Sequence, residues 1–256
     1  MKTIEELKNQ VLHGDCLEVM KDIPDGSIDL VVTSPPYDNL RTYNGSLDWG
    51  EHVWKPVIQE LFRLIKEGGV VVWVVGDATI KGSETGTSFK QALYFKETGF
   101  NLHDTMIYQK QFYVPLTHNR YEQEWEYMFV FSKWKPKTFN PIKVPTLFGG
   151  KKSTLTHRKT GEKPIRGTNY GKERKMERII GNIWNLQPQR KSEHPAIFPE
   201  KLAHDHILSW SNEGDTVLDP FAGSGTVGKV AQQLNRNCIL IEKEQEYVDI
   251  INKRLS

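Results

Sequence analysis

The sequence predicts an α/β protein built on one mostly parallel sheet, and three observations predict it. Strand-like apolar runs alternate with stretches of helical apolar spacing along most of the chain. The run "VVVWVVGD" at 70–77 is apolar without alternation, as in a strand buried on both faces of a parallel sheet. Several runs end in Gly, Pro or an acid, at the carboxyl ends of strands, where such sheets bind ligands.

Residues 10–15, "QVLHGD", read as a short strand ending at Gly14-Asp15. A turn over "PDGS" at 24–27 leads to a strand at 29–33, "DLVVT". Residues 51–66 have helical apolar spacing, and Gly68-Gly69 reads as the stop. The strand at 70–77 follows, then a helix near 86–97 ending at Gly99 and a strand at 102–109. "EYMFVFSK" at 126–133 is a further strand. Periodicity then fails through a basic, Gly/Pro-punctuated stretch at 133–180. Order returns with a helix at 199–211, a strand at 215–219, a Gly-rich turn, a helix at 225–234 and a strand at 237–242. No internal repeat is visible.

The 256 residues suffice for one large domain with an insertion. The expected division is two halves of one domain, 1–132 and 183–256, around an insertion at 133–182. No run approaches 18 apolar residues, so no membrane span is expected. The opening "MKTIEELKNQ" is charged and lacks an apolar core, so no secretion signal is expected. Cys16 and Cys238 are too few for a disulfide framework, and no Cys/His cluster has metal-site spacing. The histidines at 118, 157, 204 and 206 form no metal set. A cytoplasmic protein without a metal is the expectation.

Net charge is +2, but it is unevenly distributed. From Lys133 to Arg178 there are 14 Lys/Arg against three acids, while the remainder carries 20 against 29. A basic segment on an acidic body points to a polyanion partner, with a solvated basic loop as the alternative.

"VLDPFAGSGTVG" is a strand, an acid (Asp219) and a Gly-rich loop opening a helix. Gly223 and Gly225 allow close backbone approach, and a helix N-terminus favours an anionic group. A purely structural tight turn is the alternative. The spacing matches neither G-x-x-x-x-G-K-[ST] nor G-x-G-x-x-G, so a nucleoside triphosphate or dinucleotide is disfavoured. Glu242 ends the next strand, where an acid can accept from ribose hydroxyls. S-adenosyl-L-methionine meets this description. Its ammonium would go to Asp219 and its carboxylate to backbone N–H groups.

At this point two motifs carry a resemblance. "TSPPY" at 33–37 with "DPFAGSGT" at 219–226 resembles the DNA amino-methyltransferases, which methylate the exocyclic N4 of cytosine or N6 of adenine. The catalytic motif precedes the cofactor motif, with the basic segment between them, as in the permuted β class. The resemblance implies a Rossmann-like S-adenosylmethionine-dependent methyltransferase sheet, circularly permuted, beginning at its third strand with its first two strands last. The basic segment becomes an inserted target-recognition region.

The resemblance also distributes roles. Ser34, Pro35, Pro36 and Tyr37 are the catalytic turn. Asp15 would bond the adenine amine of the cofactor, with Cys16 beside the ring. "EHPAIFPEKL" at 193–202 resembles the segment that closes over the methionine end, bringing in His194 and Phe198. Asp219, Phe221, Gly223, Gly225, Thr226 and Glu242 complete the cofactor set. Double-stranded DNA is the expected partner. Arg41 is a candidate for a phosphate or for the vacated base stack, or is a surface arginine. Lys151, Lys152, Arg158, Arg166, Lys172 and Arg174 are candidate DNA contacts. A cognate restriction endonuclease and a homodimer are partners the resemblance allows. The Ser-Pro-Pro-Tyr form is associated with N4-cytosine enzymes, with N6-adenine as the alternative.

The chemistry explains the residue types. An exocyclic base amine is a poor nucleophile because its lone pair is delocalised into the ring. Two acceptors draw it toward sp³ geometry: the Ser34 hydroxyl and the Pro35 carbonyl, held in direction by the two prolines. Tyr37 offers a stacking face for a nucleotide flipped out of the duplex. A Cys-dependent C5-cytosine reaction is disfavoured, since neither cysteine sits in a nucleophile turn. Three rivals remain: a nucleic-acid-binding module without turnover, an RNA methyltransferase and a protein-glutamine methyltransferase.

Overall fold

The computed structural model describes residues 2–36, 49–111, 120–154, 156–157, 165–166, 169–187 and 199–256. Eight strands form the main sheet: β1 (Gln10–His13), β2 (Ile28–Thr33), β3 (Ile65–Val75), β4 (Asn101–Lys110), β5 (Trp125–Ser132), β6 (Ile183–Leu186), β7 (Thr216–Asp219) and β8 (Asn237–Glu242). Among the described residues seven helices accompany them: α1 (Ile4–Leu7), α2 (Cys16–Met20), α3 (Glu51–Leu64), α4 (Thr87–Thr98), α5 (Glu200–Trp210), α6 (Thr226–Gln233) and α7 (Gln245–Leu255). The spatial order is β1-β8-β7-β2-β3-β5-β4-β6. Only β5 runs antiparallel to its two neighbours in this sheet; the other pairs are parallel.

The first strand of the chain lies at the sheet edge, and the last two, β7 and β8, are inserted between it and β2. This is the circularly permuted arrangement, with the third strand of the sheet coming first. The order reverses direction between β7 and β2, so their carboxyl ends flank the crevice where doubly wound sheets take ligands.

Helix α3 buries Trp54, Val57, Ile58, Leu61 and Leu64, a three-and-four spacing that gives one apolar face. That face joins a core cluster with Val31, Val71, Trp73, Val75, Leu218, Ile239 and Ile241 from the sheet. In the same cluster Phe95 of α4 stacks on Phe131 of β5 at 4.0 Å between centroids. Trp73 is fully buried, and its indole N–H donates to Gln91 of α4 at 2.8 Å, so no polar group is stranded there.

Two sequence expectations are corrected. Gly68-Gly69 does not stop the helix. Helix α3 ends at Leu64, and the glycines lie inside β3. Gly68 has φ +78°, and a Cβ on Gly69 would come within 2.9 Å of the Asp29 carbonyl oxygen. The β2–β3 register shifts between Ile28 and Leu30, so the pair marks an irregularity in the ladder where backbones approach closely. Strand β3 is also not flanked by parallel strands on both sides: β2 is parallel to it and β5 antiparallel. Four of these elements escaped the sequence reading: α1, α2, β6 and α7.

The chain divides into two compact units, Met1–Asn140 with Asn182–Ser256, and Pro141–Gly181. Residues 133–140 go with the first unit. There the Asn140 side-chain amide donates to the carbonyls of Leu208 and Ser211. The second unit pairs Lys143–Pro145 antiparallel with Glu177–Ile179, and Thr156–His157 with Ile165–Arg166. Among the described residues no helix is long and apolar enough to cross a membrane.

Candidate cofactor and catalytic site

Strands β1, β8, β7 and β2 are parallel neighbours, so their carboxyl ends meet at one edge of the sheet. This brings together Asp15, Ser34, Asp219 and Glu242, which lie far apart in sequence. Ser34-Pro35-Pro36 leaves β2 directly at that edge, with Pro35 buried and its neighbours half-buried. Tyr37 and Arg41 lie outside the described residues, as do His194 and Phe198.

Asp219 ends β7 and is only 2 % exposed. The Thr33 hydroxyl donates to its Oδ1 at 2.7 Å, and the Phe221 amide donates to the same oxygen at 3.1 Å. Both bonds fall on Oδ1, which leaves the lone pairs of Oδ2 for an incoming donor. Burial pushes the carboxyl up to about 7, against the two hydrogen bonds and with a smaller push from the Glu242 carboxylate. A buried acid raised in this way is stabilised by a cation brought alongside it.

Glu242 ends β8. Its two oxygens accept from the amides of Gly223 at 2.8 Å and Glu244 at 2.9 Å, and burial raises its pKa. The bond to Gly223 ties the Gly-rich loop to the neighbouring strand. Gly223 and Gly225 both have positive φ, at +53° and +78°. Gly225 is the N-cap of α6, and a Cβ there would meet Ile251 of α7 at 2.9 Å, so packing as well as conformation requires glycine. Thr226 is buried at the first position of α6. Asp15 caps α2, with Oδ1 accepting from the Leu17 amide at 2.9 Å. Cys16 is buried, and burial followed by the Asp15 carboxylate pushes its thiol up to about 12. Cys238 is pushed up to about 11 by burial. Neither is a thiolate at neutral pH.

The residues fit S-adenosylmethionine. Asp219 is a desolvated acceptor for an ammonium. The Phe221 ring has Trp49 edge-on at 5.6 Å, and the Trp49 indole N–H is buried with no acceptor among the described residues. Asp219, bonded to the Phe221 amide, is a buried acceptor, and Trp49, against the Phe221 ring, is a buried donor; the two suit a zwitterionic amino-acid tail.

Sequence reasoning missed a clamp on the outside of this loop. Arg254 of α7 donates to the Ser224 carbonyl at 3.1 Å, to the Ser224 and Thr226 hydroxyls at 3.2 and 3.4 Å, and to Glu200 of α5 at 2.6 Å. Lys229 of α6 also reaches Glu200, at 2.8 Å. Lys229 and then Arg254 hold the Glu200 carboxyl below its usual range. The spacing of Tyr247, Val248 and Ile251 signalled the helix, but the charged run "EKEQE" before it obscured it.

In the second unit, Lys151 and Arg174 approach the half-exposed Phe148 ring at 5.8 and 5.4 Å. Their backbones are bonded, the Arg174 amide donating to the Lys151 carbonyl at 3.0 Å. Lys152 pairs antiparallel with Glu173, and the Ser153 amide donates to the Lys172 carbonyl at 2.8 Å. Four of the candidate DNA contacts therefore share one small ladder. Arg166 lies in a two-residue strand whose side chains are not described, and Arg158 lies outside the described residues.

Known proteins are similar to this chain in sequence and in fold. Residues 28–253 match the DNA methylase family N6_N4_Mtase. The chain is 53% identical over 249 residues to the orphan methyltransferase M.BamHII of Bacillus amyloliquefaciens, covering 92% of this chain and 91% of that one. It is 30% identical to the DNA adenine methyltransferase YhdJ of Escherichia coli K12, covering 96% and 82%. Its fold matches TTHA0409 of Thermus thermophilus, described as a candidate DNA modification methylase and solved in complex with S-adenosyl-L-methionine. That match has TM-score 0.65 and 26% identity, over 96% of this chain and 93% of that one.

Proposed function

The chain belongs to the N6_N4 DNA methylase family, and on that premise we propose that it methylates the exocyclic N4 of a flipped cytosine in duplex DNA. It is a DNA methyltransferase, and S-adenosylmethionine is its cofactor. The observation that carries the finer reading is Ser34 at the head of the turn leaving β2, one residue from the Thr33–Asp219 bond.

In this reading Ser34 accepts one N–H of the target amine, and the Pro35 carbonyl accepts the other. The two prolines keep those acceptors in place before the base arrives. Tyr37 stacks on the base, which offsets part of the few kcal/mol that flipping costs. Asp219 takes the cofactor's ammonium, Glu242 its ribose hydroxyls and Asp15 its adenine amine. When bound, S-adenosylmethionine would supply the sulfonium methyl; its C–S bond would break to leave S-adenosylhomocysteine, and the methylated amine would lose one proton to solvent. Residues Ser34 and Pro35 orient the nitrogen for that attack. No covalent bond to the enzyme forms, which agrees with two buried, protonated thiols.

A neutral hydroxyl at position 34 can accept from the amine and donate elsewhere, so it avoids setting a carboxylate beside the cytosine N3 acceptor. Adenine presents N1 in the same relation, and the 30% relative is named as an adenine enzyme. Adenine N6 is therefore the second reading. The test is to incubate the protein with duplex DNA and labelled cofactor, digest to nucleosides and separate them by mass. The expected product is N4-methylcytosine. Label in adenine instead would refute the base assignment and leave the mechanism standing.

The second unit is proposed as the target-recognition region, with Lys151, Lys152, Lys172 and Arg174 on phosphates or base edges. Charge reversal at Lys151, Lys152 or Lys172 is expected to weaken DNA binding without changing cofactor affinity. The slope of log K against log salt should shrink by about 0.9 for each phosphate no longer neutralised. An unchanged slope across the three variants would place DNA elsewhere. A cognate endonuclease and a second copy of the chain are proposed partners; sedimentation of the protein alone and with DNA tests the latter.

A further inference from the structure

Thr33 is the last residue of strand β2, directly before the catalytic turn, and it is fully buried. A buried hydroxyl without a partner is costly, so its bond matters to the fold as well as to the site. That bond crosses from the end of β2 to the end of β7, at the point where the sheet order reverses. It joins the two motifs of the site by a single contact of 2.7 Å between residues 186 apart in sequence.

We propose that Thr33 is a positioning residue. Its hydroxyl holds Asp219 Oδ1 so that Oδ2 meets the cofactor's ammonium as a carboxylate, and its own peptide carries that alignment into Ser34. The proposal rests on the reading of Asp219 as the cofactor acid. It goes beyond that reading by assigning the protonation state of Asp219 to a neighbour on another strand.

The physical basis is a competition. Burial favours the neutral acid, and among the described residues so does the Glu242 carboxylate on the adjacent strand β8. The Thr33 hydroxyl and the Phe221 amide favour the anion. In the cofactor-free protein the balance lies near neutral pH, so an arriving ammonium displaces a proton from Asp219 into the buffer. Removing the Thr33 donor tips the balance further toward the neutral acid. Cofactor binding must then remove a proton held more tightly, and it weakens most at the acid end of the range.

The experiment is calorimetric titration of the full chain with S-adenosylhomocysteine at pH 6, 7, 8 and 9. Two buffers of different ionisation enthalpy report the protons released. The variants are Thr33→Val, which keeps the shape and loses the hydroxyl, and Thr33→Ser, which keeps the hydroxyl. At pH 7 Thr33→Val should bind about 10-fold or more weakly, the scale of a hydrogen bond to a charged group. It should release more protons than wild type and converge on wild-type affinity by pH 9. Thr33→Ser should follow wild type at every pH. A loss of equal size at all pH values with unchanged proton release would overturn the proposal, because it would reduce Thr33 to packing. So would a Thr33→Val that binds like wild type. Asp219→Asn separates the two layers. Wild-type affinity in that variant removes the reading of Asp219, whereas lost affinity together with a pH-independent Thr33→Val defect removes only the role of Thr33.

Discussion

Asp219→Asn is expected to lower S-adenosylmethionine affinity by at least about 100-fold while making the cofactor-free protein more stable above pH 7. The asparagine Oδ1 can still accept from Thr33 and Phe221, so the local frame survives. The group at the Oδ2 position becomes a donor and opposes the cofactor's ammonium. The stability gain follows from linkage. The folded carboxyl titrates at about 7 and an unfolded one near its ordinary 3.8, so the folded state holds the extra proton between them. Its stabilising contribution is complete below 3.8 and is lost as pH rises through 7. Each pH unit in that window is worth up to ~1.4 kcal/mol. Asparagine does not titrate, so this decline should vanish. Melts of wild type and variant at pH 5 and 8, with and without S-adenosylhomocysteine, check both halves. A variant that melts like wild type at pH 8, or keeps its ligand-induced stabilisation, would contradict the account.

Ser34→Ala is expected to leave cofactor affinity unchanged and to lose roughly 2–4 kcal/mol of transition-state stabilisation, on the order of 30- to 1000-fold in kcat. The hydroxyl is one of two acceptors for the amine, and Pro35 and Pro36 keep the turn in shape without it. Single-turnover methylation with saturating cofactor and duplex DNA measures this. Full activity would make Ser34 a turn residue alone. The two substitutions are thus expected to separate: one weakens cofactor binding, and the other retains it and slows methyl transfer.

Much of this site could be read from the sequence because its residues sit in short motifs with fixed local geometry. A strand ending in Asp219 before a Gly-rich helix start, and a strand ending before Ser34-Pro35-Pro36, are local patterns. Their meeting is not local. It depends on which strands pair, and the motif order implied that order only through the family resemblance. Thr33 went unremarked because its partner lies on another strand. Arg254 was missed for the same reason, its partners being on α5 and in the loop before α6. Gly68-Gly69 misled because a helix stop and a close backbone approach use the same residue. The antiparallel placement of β5 is a matter of sheet order, which an apolar run such as "VVVWVV" does not record.

The permuted strand order has a consequence for synthesis. Strands β2, β3, β4 and β5 emerge from the ribosome in an order that lets them pair with one another early. Strands β7 and β8 emerge roughly eighty to a hundred residues later, yet they must slot between β1 and β2. Until then β1 has no neighbour in the sheet, and the edge of β2 that will receive β7 is open. The Gln10↔Ile239 pairing closes a loop of more than two hundred residues, the kind of contact that forms last. The nascent chain therefore exposes its basic segment while it still lacks Asp219 and Glu242. These two acids are thus among the last of the site's residues to be made, and the site closes only when the sheet does.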